Sequence, residues 1–125
     1  MKVHFAWFAG ACALLCSAQA ADTKETGRYL AKPLNGDYYV YGGSIEDKTA
    51  PTQADRKLSL MLTGPLAKEL FDQIGPDAKH ACSSGPDYRE RNRGDLACTW
   101  TKDQGYSCYV GLNVHTGKSM PGTTC

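Results

Sequence analysis

Past its first twenty residues this chain has no long apolar run, no excess of one charge and no closely spaced cysteine pair. Each absence excludes something. A membrane-crossing helix needs about 20 consecutive apolar residues, so no integral membrane protein is expected. The chain carries 14 Lys and Arg against 13 Asp and Glu; without Lys2, which lies in the first twenty residues, the balance is 13 against 13. A neutral chain has no global electrostatic attraction for nucleic acid or for an anionic membrane. There is no C-x-x-C, and His80 and His115 stand at no metal-ligand spacing, so zinc is not expected. His80-Ala81-Cys82 could offer two ligands, but a half-cystine beside a loop histidine is the plainer reading. Neither a Gly-x-Ser-x-Gly elbow nor His-Glu-x-x-His occurs, and no cofactor is implied.

The phosphate-loop spacing is missing too. Thr116-Gly117-Lys118-Ser119 looks like the end of such a motif, but Leu112 stands where its first glycine belongs. Pro121-Gly122 follows where the motif needs a helix. Arg93-Gly94-Asp95 matches an adhesion tripeptide, yet Gly-Asp is ordinary turn chemistry.

What is present begins with a leader. Lys2, the apolar stretch Phe5 to Leu15 and Ala18-Gln19-Ala20 read as a secretory signal over residues 1–20, cleaved near Ala20. Lipid anchoring at Cys16 is the alternative; Leu15 occupies a position where such signals take a small residue. Residues 21–125 then form a single small domain in the periplasm or outside the cell. Its four cysteines, Cys82, Cys98, Cys108 and Cys125, imply two disulfides in an oxidising compartment.

Residues 28–32 read as a short strand, Pro33 to Gly36 as a turn and Asp37 to Tyr41 as a strand. Ser44 to Asp55 reads as an exposed loop. Leu58, Leu60 and Leu62 alternate with polar or flexible residues, giving a half-buried strand over 57–63. Pro65 opens a helix over 65–74, with Leu66, Leu70, Phe71 and Ile74 on one face and Gly75-Pro76 as its stop. Asp77 to Asp95 reads as a long polar loop, the kind that often binds. The end reads as a three-stranded meander: 96–101, 106–114 and 119–124. If Thr116-Gly117 centres the last turn, Cys108 lies opposite Cys125, leaving Cys82 for Cys98. The expected fold is α+β: a mainly antiparallel sheet of about five strands, one packed helix and two disulfides.

Candidate contact residues lie in the 83–95 loop. Arg89, Arg91 and Arg93 alternate and would share one side of an extended chain. They can grip carboxylates on a partner, or be solvated beside Asp87, Glu90 and Asp95. Tyr38, Tyr39, Tyr41, Tyr88, Trp100, Tyr106 and Tyr109 serve sheet and core, with one or two rings left for contacts. Ser84-Gly85-Pro86-Asp87-Tyr88 is similar to the Ser-Gly-x-x-Tyr loop of the periplasmic C-type lysozyme inhibitors. That likeness covers five residues. It implies a loop that enters an enzyme's cleft.

The expected function is an exported, non-catalytic binding protein, of an inhibitor or immunity type directed at a secreted or cell-wall hydrolase. A protein partner would meet Ser84, Tyr88, Arg89, Arg91 and Arg93. The alternatives are a small periplasmic hydrolase using His80 or His115, and a structural envelope component.

Overall fold

The computed structural model describes residues 29–125. The signal and cleavage site expected over residues 1–20 lie outside them. Residues 32–125 form one compact unit. Every regular element among the described residues lies between Gly36 and Met120.

Those elements are β1 (Gly36–Gly43), β2 (Lys48–Thr49), β3 (Lys57–Thr63), α1 (Gly64–Gln73), β4 (Tyr88–Arg93), β5 (Leu96–Thr101), β6 (Gly105–Asn113) and β7 (Lys118–Met120). The strands form one antiparallel sheet in the order β2-β1-β3-β6-β5-β4, with β7 also paired to β6. The α+β class and the single helix match expectation. Among the described residues the strand count is seven rather than about five.

The helix starts where Thr63 is still extended and Pro65 sits in the first turn, where its missing N–H costs nothing. Ala67, Phe71 and Ile74 are buried, and Leu70 packs beside them. Leu66, expected on that face, is 37% exposed; Ala67 takes the place. Phe71 meets Tyr106 edge to face, with ring centroids 5.2 Å apart. Beneath them lie Cys98 and Cys108, both fully buried, flanked by Leu62, Leu96 and Trp100.

Four expectations are corrected. Residues 29–35 carry no strand. The loop expected from Asp77 to Asp95 stops at Asp87, because β4 and β5 form a hairpin. Gly94 has φ +57° and opens the two-residue turn between Arg93 and Leu96, a position suited to glycine. The C-terminal strands are not a meander. One edge of β6 is taken by β3, so β7 lies along the same edge as β5, where β5 ends.

The last correction is the disulfide pairing. The bonds are Cys98–Cys108 and Cys82–Cys125. Cys98 and Cys108 face each other across β5 and β6 with Cα atoms 4.0 Å apart, the close spacing of a non-hydrogen-bonded pair. The β6–β7 turn is wider than two residues. Asn113 pairs with Lys118 across Val114 to Gly117. The Asn113 side-chain oxygen accepts the N–H groups of His115 and Thr116, and its carbonyl accepts that of Gly117. Asn113 thus shifts the register by two, and Cys125 is carried on toward Cys82.

Candidate functional site

Strand β4 sorts its side chains onto two faces of the sheet, as any strand must. Arg89, Arg91 and Arg93 point to the helix face, opposite Trp100, Cys98 and Leu96. Tyr88, Glu90 and Asn92 point to the outer face. The five candidate contact residues are thereby divided.

The arginines all engage the end of α1. Arg91 donates to the Phe71 carbonyl at 2.8 Å and Arg93 to the Ile74 carbonyl at 3.0 Å. Both carbonyls are at a helix C-terminus, where cations are favoured. The Arg91 guanidinium lies 4.3 Å from the Phe71 ring centroid, and that of Arg89 5.3 Å. Asp77 then accepts from both Arg89 and Arg91. These bonds hold the Asp77 carboxyl well below the usual range, at a pKa of about 2. The trio clasps the helix to the sheet. Its alternation was legible in the sequence; its partners, 12 to 20 residues away, were not.

The outer face carries a polar cluster around Glu90, which is only 8% exposed. Its carboxylate accepts from the Tyr88 hydroxyl and the Cys82 N–H on one oxygen, and from the Asn92 amide on the other, each at 2.8 Å. Burial alone would raise this carboxyl's pKa, but the three donors outweigh it and the group is held below its ordinary value. Burial and the bond to Glu90 push the Tyr88 hydroxyl up to about 12. The Cys82 N–H bond also fixes the start of the Cys82 to Asp87 loop, where Ser84 is exposed.

Residues 121–125 cross this face as a strap. The Ser59 hydroxyl donates to the Gly122 carbonyl. Gly122 lies so close that a Cβ there would be 2.5 Å from the Val110 backbone. Cys125 then bonds to Cys82 at the far side. The strap separates a groove of about 550 Å³ from a smaller one of about 280 Å³, with Tyr109, Thr123 and Thr124 lining both. Glu90 sits in the larger groove with Tyr88, Thr99 and Tyr109. No Lys, Arg or His among the described residues lines it. Single-sequence reasoning missed Glu90 as a site residue, having counted it only as a counter-charge to the arginines. The signal available was its place in the alternation, opposite in parity to them.

The histidines stand elsewhere. His115 is exposed in the β6–β7 turn. His80 is exposed at a shallow depression that Asp77 and Glu90 also line. Both carboxylates are already engaged, with the arginines and with the Tyr88 cluster respectively. Among the described residues no group of His, Cys, Asp and Glu could hold a metal ion, and no helix is long and apolar enough to cross a membrane. The two disulfides are consistent with an oxidising, extracellular environment. No family model, curated protein or solved structure matches this chain.

Proposed function

We propose that this chain is an exported, non-catalytic binding protein of the inhibitor or immunity type that covers a secreted or cell-wall hydrolase. The observation that carries this reading is the exposed Cys82 to Asp87 loop, anchored by Cys82–Cys125 at the rim of the outer groove. A loop held at its base on a stapled sheet loses little freedom on binding, which favours affinity. Of the residues similar to the inhibitor loop, Ser84 is exposed within this loop and Tyr88, which opens β4 at its end, lines the groove. Arg89, Arg91 and Arg93 act mainly as the scaffold beneath it. Secretion by the leader at residues 1–20 would place the protein in the periplasm or outside the cell.

The test uses the purified secreted protein against a panel of cell-wall hydrolases of different bond specificity. Stoichiometric inhibition of one class, with a stable complex on gel filtration, is expected. Ser84→Ala with Tyr88→Phe should weaken that complex by at least about tenfold, on the scale of interface hot spots. No complex with any hydrolase in the panel, and none recovered from the native envelope, overturns the reading.

A further inference from the structure

We propose that the larger outer groove receives a lysine or arginine side chain presented by the partner protein. This rests on the binding reading above and specifies its contact chemistry.

The groove holds negative charge without a counter-charge. Glu90 is nine-tenths buried, and all three of its donors are neutral: a phenol, a backbone N–H and an amide. Asp95 lines the same groove and gives one oxygen to the Ser119 hydroxyl at 2.6 Å. Neither carboxylate belongs to an ion pair within the described residues. The three arginines of β4, the strand that carries Glu90, all face the other side of the sheet. Water reaches this charge only while the groove is open. A partner that covers it with a neutral surface would strip that water and supply nothing in return, which is strongly unfavourable. A partner that inserts a cation gains complementary charge instead.

The lining suits that occupant. An ionised carboxylate has about four acceptor sites; three of Glu90's are used, so one remains. Asp95 and the hydroxyls of Thr99 and Thr123 add acceptors. Tyr109 also lines the groove, and an aromatic ring at such a site attracts a guanidinium or ammonium. An anionic group would meet two carboxylates and no donor cation.

The experiment uses the full secreted chain and blocked tripeptides, Gly-Arg-Gly, Gly-Lys-Gly and Gly-Glu-Gly, followed by amide chemical shifts. The arginine and lysine peptides should shift resonances of Glu90, Asp95, Thr99 and Tyr109, and added salt should weaken the effect. The glutamate peptide should not. Asp95→Asn should reduce the apparent affinity about threefold. Thr99→Lys, which supplies an internal cation, should reduce it at least about tenfold with an unchanged thermal midpoint. Equal shifts with all three peptides, no shifts, shifts elsewhere, or saturation by a neutral oligosaccharide alone would overturn the proposal. The two readings also fail separately. If the cationic peptides bind here but no hydrolase is inhibited, the groove stands and the inhibitor reading falls. If a hydrolase is inhibited equally by wild type and Thr99→Lys, the groove proposal falls and the inhibitor reading stands.

Discussion

Asp77 and Glu90 are both acidic residues with lowered pKa values, but they do opposite work. Asp77 is 44% exposed and ties two arginines. Its carboxyl titrates near 2 in the folded protein and near 3.9 when unfolded. A depressed folded value means that its stabilisation is present above about pH 4 and is lost as pH falls toward 2. A series of thermal melts should show that acid loss in wild type, and a smaller one in Asp77→Asn. Glu90 is held by neutral donors inside the sheet. Glu90→Ala would strand the Tyr88 hydroxyl, the Cys82 N–H and the Asn92 amide, at a cost of about 1–3 kcal/mol. Urea unfolding would measure it. Tyr88→Phe removes one of those bonds and should cost about 1 kcal/mol. If Tyr88→Phe costs as much as Glu90→Ala, the three-donor cluster is not what holds this corner.

Helix α1 and strands β3 and β5 were legible in the sequence to within a residue, because local pattern specifies them. Pro65 and Gly75 bracket the helix, and the leucines of β3 alternate. The buried residue of β3, however, is Ser59, whose parity is opposite to the leucines. Its burial comes from the strap, 63 positions away, and no local pattern could announce it. Strand β4 was hidden by its composition: six polar residues in a row lack the apolar alternation that marks a strand. The Gly94-Asp95 turn and the arginine alternation were the signals present. The disulfide pairing failed on one turn, where Asn113 supports four residues rather than two. At the β5–β6 turn Thr101 pairs with Gly105 across three residues, which sets Cys98 opposite Cys108; the strand ends read from the sequence, 101 and 106, would set Cys98 opposite Tyr109 instead. Two substitutions probe how these elements hold together. Phe71→Ala should cost about 3–5 kcal/mol, because it empties the helix–sheet contact. Gly122→Ala should loosen the strap, since its Cβ would collide with Val110 backbone; faster amide exchange at Gly111 and Ser59, with the helix protected as before, would register it.

In the whole molecule the two disulfides divide the labour unequally. Cys98–Cys108 is fully buried and spans 10 positions; Cys82 and Cys125 are exposed and span 43. In the chain-entropy model these closures are worth about 3 and about 4 kcal/mol. A mild reductant without denaturant should open Cys82–Cys125 alone, and alkylation with mass mapping should label those two cysteines and leave Cys98 and Cys108 unmodified. Equal labelling of all four would show that the core opens as readily as the rim. The arginine clasp has a consequence at this scale as well. Strand β4 ends the sheet, and an end strand is where another chain can add itself. Three guanidinium groups crowd that border, and the Ala78 N–H already occupies the Glu90 carbonyl. Residues that hold a helix in place therefore also keep copies of the molecule apart. Replacing all three arginines with threonine would leave a strand-forming, uncharged border, and the expected symptom is light scattering that grows with protein concentration.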